Sequence, residues 1–209
     1  SQAGPSFAWN RFAGDAGDGQ VVSENVVARI LEAAGLPVAI GRIAASTEEA
    51  VRAAERLGFP VAIKAISPAI THRAAAGLVA LNVDTPEAVA RIDHAFRARA
   101  AELGVTLDGT WVQHMFAGDQ ELLVTAFRDQ EFGVMVGCGM GGGMTEIIDD
   151  AVFTRAPIDA DGAFDLLGRL KTLRRLPDML SDRQRQQTAD FVARFSALVA
   201  TAPWRSFTF

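Results

Sequence analysis

Apolar residues recur at helical spacing at Val26, Val27, Ile30, Leu31 and Ala34, with Ser23 placed to cap the start and Gly35 to end the last turn. Pro37 then blocks continuation. A second helix opens with Ser46 and Glu49 in capping-box spacing, turns Ala50, Val51, Ala54 and Leu57 inward, and stops at Gly58 before Pro60. Each Gly-x-Pro stop is followed by a β-branched apolar run, residues 38–43 and 61–66, which predicts a strand after each helix. Residues 78–83 predict another strand. Thr85 and Pro86 then supply a cap and a first-turn proline for a helix reaching about Leu103.

From Trp111 the alternation changes to strands at residues 111–115, 121–127 and 132–136, read as an antiparallel meander whose last two members join through Arg128, Asp129 and Gln130. Residues 144–148 and 152–157 predict further strands. Ser181 and Gln184 then open a capped helix carrying Phe191, Phe195 and Leu198. Residues 206–209 read as part of a strand, and residues 1–22, lacking either periodicity, as a linker or leader outside the fold. The pattern is α/β, of the α+β kind.

Composition narrows the function classes. The 209 residues, 49% hydrophobic and 22% charged, suffice for one domain or for two small lobes sharing a cleft, the arrangement expected here. A net charge of -5 without a Lys or Arg run argues against nucleic acid. Apolar runs fall far short of the ~20 residues a bilayer span needs, so a soluble protein is expected. One cysteine, Cys138, and no signal-like N-terminus point to the cytoplasm.

Lys64 follows the apolar run Val61-Ala62-Ile63, where an ammonium must snorkel to water or meet an anion such as phosphate. Residues 67–77 form a loop that carries Pro68, His72, Arg73 and Gly77. An imidazole there is either an exposed loop histidine or a phosphoryl relay. Gly137, Gly139, Gly141, Gly142 and Gly143 surround Cys138 and Met140 after a strand, where backbone amides can approach an anion, or where a sheet makes a strained turn. Their Gly-x-Gly-x-x-Gly spacing is not a dinucleotide fingerprint, because strand-like residues follow it and no helix opens there. No Gly-Lys-Ser or Gly-Lys-Thr exists for a Walker loop. His94 lies off its helix's apolar stripe and reads as solvated, Cys138 reads as a packing residue, and no His, Cys and carboxylate set has metal-site spacing.

Taken in order, residues 23–31, Gly58-Phe59-Pro60-Val61-Ala62-Ile63-Lys64, Ser67-Pro68 with His72, Trp111-Val112-Gln113 and Phe132-Gly133 resemble the ATP-grasp subunit of ADP-forming acetyl-CoA and acyl-CoA synthetases. Arg128-Asp129, the glycine segment and residues 152–157 extend the likeness to Phe209. The resemblance implies two α+β lobes gripping ATP or ADP with Mg2+, residues 23–112 forming the first lobe and residues 113–209 a C-terminally truncated second. It assigns the phosphates to Lys64, adenine to the backbone of Gln113, His114, Met115 and Phe116, and the ribose hydroxyls to Glu121. Gly77, Gly139, Gly141 and Gly142 complete the nucleotide contacts, and His72 becomes the relay between nucleotide and a phosphohistidine of another domain. A CoA-binding partner, in the same polypeptide or another subunit, would bring CoA and a carboxylic acid.

Departures from that family's pattern shape the expectation. Arg73, Ala74, Ala75, Leu78, Val79 and Ala80 stand where the family carries Lys, Ser, Asp and a Gly-Gly-Val-Lys stretch, and His114 stands where it usually has Glu. The main metal ligands, on a Glu-x-Asn-Pro segment, are expected beyond Phe209, with Glu146 and Asp150 the candidates inside the chain. This stretch by itself is expected to be inactive. A nucleotide-binding regulatory module and a carboxylate–amine ligase of the same fold stay as alternatives.

Overall fold

The computed structural model describes residues 7–12, 22, 24–67, 69–70, 76–116, 118, 120–141 and 150–205. They fall into two compact units, one of residues 20–117 and one of residues 1–19 with 118–209. The cap at Ser23 and the strands expected at residues 144–148 and 206–209 lie outside the described residues.

In the first unit, helix α1 (Glu24–Ala33) precedes strand β1 (Gly41–Ala44), helix α2 (Thr47–Leu57) and strands β2 (Val61–Ile66) and β3 (Val79–Val83). Helix α3 (Pro86–Glu102) and strand β4 (Gly109–His114) complete it. Every pairing is antiparallel, in the order β1-β4-β2-β3. Both predicted caps form: Ser46 Oγ accepts from the Glu49 amide at 3.2 Å and Thr85 Oγ1 from that of Ala88 at 3.2 Å. Gly58 closes α2 with a φ of 80°, a conformation that glycine adopts without a Cβ clash.

Two strand expectations need correction. Residues 38–40 are not in the strand, which begins at Gly41. Strand β4 belongs not to the meander but to this first sheet, because Trp111 lies opposite both Ile43 and Lys64, so the chain inserts β4 between β1 and β2. Alternation sorts the sheet into two faces. Val61, Ile63, Ala65 and Val112 meet Ala50, Ala54, Val89 and Phe96 of α2 and α3 in one core. On the opposite face Ile66 and Trp111 pack with Ala28 of α1.

Gly41 is needed where it stands, since a Cβ there would lie 2.2 Å from the Trp111 ring. Trp111 is buried, so the ring has little room to yield. Gly41→Ala is expected to cost about 1–3 kcal/mol through overpacking, read as a lowered midpoint in thermal or urea unfolding.

The second unit holds the meander β5 (Leu122–Asp129), β6 (Gly133–Met140) and β7 (Ala151–Arg155). Helices α4 (Ala160–Leu167), α5 (Lys171–Arg175) and α6 (Asp182–Ala200) follow, with Pro177–Met179 as a 3-10 turn. The expected polar turn holds, Asp129 Oδ1 accepting from the Glu131 and Phe132 amides at 2.8 Å each. Ser181 and Gln184 make the full capping box of α6. That helix packs against β5 and β6, where Ala126, Val134, Val136 and Cys138 are buried.

The opening stretch is not wholly outside the fold. Trp9 and Phe12 are buried, and Trp9 Nε1 donates to Thr201 Oγ1 at 3.0 Å while its ring meets Trp204 edge-on at 5.0 Å. Large aromatic rings bury enough apolar area to anchor even a short aperiodic segment. Arg128 secures the same end of the unit by donating to the carbonyls of Trp204 and Ala202, each at 2.9 Å.

Candidate functional site

Lys64 lies inside β2, not at its end, because Ala65 and Ile66 continue the strand. Its side chain stands on the α1 face of the sheet, the face of Trp111 and Gln113. There Nζ donates to Glu24 Oε1 at 2.9 Å and to Gln113 Oε1 at 3.3 Å, with 21% of the side chain exposed. The cation is therefore stabilised by an internal carboxylate and amide and still reaches solvent. Gln113 Nε2 in turn donates to the Ala39 carbonyl at 3.4 Å, which orients its oxygen toward the ammonium.

The structure brings Lys64 and Gln113 together and sends His114 elsewhere. Strand alternation turns the His114 side chain to the other face, where Nδ1 lies 3.3 Å from the Gly58 carbonyl and the ring meets Phe116 at 4.9 Å. His114 and Phe116 line a cavity of about 720 Å³ with Ile40, Arg42, Arg56 and Leu57. The backbone expectation is also narrowed. The His114 amide donates to the Ile40 carbonyl at 3.0 Å and the Met115 amide to that of Pro60 at 3.1 Å, so neither is spare for a base. Met115 Sδ accepts from the Asn82 amide at 3.1 Å. Gly77 turns the chain into β3 with a φ of 73°, with open space around its Cα.

In the second unit Glu121, Gly139 and Gly141 come together. Gly139 lies opposite Leu123 and Ala151, and the Gly141 amide donates to the Glu121 carbonyl at 2.8 Å. The glycine segment is thus not a loop over residues 137–140: these residues are strand, and the Gly141 amide belongs to its neighbour rather than to an anion. Packing explains the glycines better. A Cβ on Gly137 would lie 2.4 Å from the Phe153 ring, and one on Gly139 would lie 3.1 Å from the Asp150 carbonyl. This face, opposite to α6, leaves Leu123 and Phe153 about half exposed, at 46% and 48%.

Asp150 is committed structurally, accepting from the Lys171 and Thr172 amides at 2.8 and 2.7 Å at the start of α5. Burial raises its carboxyl, but these amides, with the Thr172 hydroxyl and the Lys171 charge, hold it below the usual value. It is therefore not a spare metal ligand. Among the described residues no three His, Cys, Asp or Glu side chains converge as a metal site. His72, Gly142 and Glu146 lie outside the described residues. Burial pushes the Cys138 thiol up to about 12. Since the thiolate is the nucleophile, Cys138 is expected to resist thiol reagents in the folded protein and to react on denaturation, as a timed Ellman assay would record.

Glu24 is a neighbour of Lys64 that sequence reading missed. Its place in the first turn of α1, where acids favour the helix dipole, explains the residue type without revealing its partner on a strand 40 positions away.

A family profile described as "ATP-grasp domain" matches residues 15–205. The Archaeoglobus fulgidus protein "Acetate--CoA ligase [ADP-forming] I" is 34% identical over 179 residues, 83% of this chain and 26% of that protein. The beta subunit of the corresponding Pyrococcus furiosus ligase is 34% identical over 147 residues, 68% of this chain and 62% of the subunit. The chain therefore spans about a quarter of the Archaeoglobus ligase and under two thirds of the Pyrococcus subunit. Among solved structures, the "dinucleotide forming Acetyl-coenzyme A synthetase 1" of Ca. Korarchaeum cryptofilum, in complex with coenzyme A, Ca-AMPCP and HgCl+, superposes with a TM-score of 0.77 at 26% identity, covering 85% of this chain and 79% of that one.

Proposed function

The chain belongs to the ATP-grasp domain family, and from that premise we propose that it is the nucleotide-binding part of an ADP-forming acyl-CoA synthetase. The observation that carries the reading is Lys64, a strand lysine whose ammonium is oriented by Glu24 and Gln113 while its side chain still reaches solvent. Such a cation fits a phosphate, which accepts charge-assisted hydrogen bonds at close range. Glu121 is the proposed acceptor for ribose hydroxyls, with Gly139 and Gly141 the proposed backbone contacts of the nucleotide, and the backbone of Gln113 and Phe116 the proposed adenine neighbours. Mg2+ would arrive with the phosphates, since this ion takes few protein ligands and keeps water and phosphate oxygens.

Similarity to ADP-forming ligases at 34% identity supports the overall reaction, in which ATP, CoA and a carboxylic acid give ADP, phosphate and an acyl-CoA. The Korarchaeum neighbour, solved with coenzyme A and Ca-AMPCP, supports the cofactors. In this reading the chain supplies positioning and electrostatic stabilisation of a transferring phosphoryl group. His72 is the relay, and a CoA-binding domain or subunit is the partner. We place the protein in the cytoplasm on the strength of its single, buried cysteine. Among the described residues no helix is long and apolar enough to cross a membrane.

The test joins this chain to its CoA-binding partner and measures ADP release from Mg-ATP with and without CoA and acid. CoA-dependent release, abolished in His72→Asn together with the phosphohistidine signal, is the expected result. ADP release that needs an amine acceptor instead of CoA would assign the fold to amide ligation.

A further inference from the structure

Lys64 is gripped by two acceptors, and one of them comes from a helix that the proposed reaction leaves without a role. Nζ donates to Gln113 Oε1 at 3.3 Å, from the neighbouring strand, and to Glu24 Oε1 at 2.9 Å, from the first turn of α1. An ammonium has three N–H donors. Among the described residues, two directions are therefore set by Glu24 and Gln113, and the third is open to a ligand. Both acceptors are anchored: Gln113 through the Ala39 carbonyl, and α1 through Ala28, which packs on Trp111 and Ile66 of the same sheet face.

A lysine stem free in solvent samples many rotamers and must surrender them to hold an anion. Here that ordering is already present in the folded chain. The carboxylate also keeps the cation charged without blocking it, because tetrahedral geometry places an anion on the third N–H farther from Glu24 than from Nζ. Attraction to the nearer charge then outweighs repulsion from the farther one.

We infer that Glu24 is a positioning residue: with Gln113 it forms a two-acceptor fork that aims the remaining N–H of Lys64 at the nucleotide phosphates. This rests on the phosphate role proposed for Lys64. It gives α1 a function beyond covering Trp111, since any movement of its first turn would re-aim the lysine.

The experiment is a double-mutant cycle read as the Kd of Mg-ATP by calorimetry on this chain. Glu24→Ala is expected to weaken binding about tenfold, because misaimed groups lose most of a contact. Glu24→Gln, which keeps an acceptor oxygen at the same reach, is expected to restore affinity to within about twofold of the unsubstituted chain. In the Lys64→Ala background neither substitution should change Kd more than about twofold. An equal loss from Glu24→Ala with and without Lys64 would make Glu24 merely structural and overturn the inference. Unchanged or tighter binding in Glu24→Ala, with binding weakened in Lys64→Ala, would overturn the fork alone. Undiminished affinity in Lys64→Ala, or no ATP binding by the unsubstituted chain, would overturn both the phosphate role and the fork.

Discussion

Asp93→Ala is expected to lower the stability of the first unit by about 3 kcal/mol, the cost of breaking a buried, hydrogen-bonded ion pair and stranding its partners. Asp93 is 0% exposed, on α3. Its carboxylate accepts from the Thr47 hydroxyl at 2.6 Å, from the Thr110 hydroxyl and from Arg97 Nε at 2.8 Å, while Arg97 Nη2 also reaches the Ala45 carbonyl at 3.2 Å. Asp93 thus joins α3 to the start of α2 and to β4, and its partner Arg97 joins α3 to the turn between β1 and α2. Removing Asp93 leaves the buried Thr110 hydroxyl and the half-buried Thr47 hydroxyl without this acceptor. The guanidinium, with a third of its side chain exposed, recovers part of its loss from water, which places the figure at the lower end for buried pairs.

The same residue predicts an acid limb. Burial pushes the Asp93 carboxyl up, but hydrogen bonds from Thr110, Thr47 and Arg97, with the Arg97 charge, more than offset this and hold it below the ordinary value. A depressed carboxyl contributes its stability fully above the unfolded-state pKa, roughly 3.9, and loses it as the pH falls through the folded-state value. Urea unfolding midpoints of the unsubstituted chain should therefore fall below about pH 4, and those of Asp93→Ala should fall less steeply in that window. Parallel curves would remove Asp93 from the acid limb.

Lys64→Ala carries the second large effect, a loss of Mg-ATP affinity of about 10- to 100-fold, or roughly 1.4–2.8 kcal/mol, the range for a charge-assisted contact. The substitution removes the cation that Glu24 Oε1 and Gln113 Oε1 orient, and with it the charge-assisted contact to the phosphates. Added salt should shrink the difference between the two proteins, because the side chain reaches solvent and its field is screened. Calorimetric titrations at two ionic strengths measure both quantities. Equal dissociation constants would take Lys64 out of the site.

Much of the fold was legible because its signals are local. The caps at Ser46, Thr85 and Ser181 need only a hydroxyl and an amide three residues on, and all three form. The Asp129 turn between β5 and β6 is equally local. The glycines at 137–141 misled for the opposite reason. Glycine marks close approach by something, and composition does not say whether that is a ligand or a neighbouring ring; here Phe153 and the Asp150 carbonyl fill the space. Trp9 was invisible for a similar reason, its partners Thr201 and Trp204 lying at the far end of the chain.

The sequence by itself determined the capped helices α2, α3 and α6, the α+β class and the family, since periodicity, capping and ordered motifs are written within a few residues of one another. Tertiary structure alone decided that β4 runs between β1 and β2, that Lys64 and His114 face opposite sides of one sheet, and that Glu24 and Gln113 hold the lysine. Those facts depend on strand register and on contacts across 40 or more positions. A shift of one residue in pairing would send every side chain of a strand to the other face while leaving its local pattern untouched.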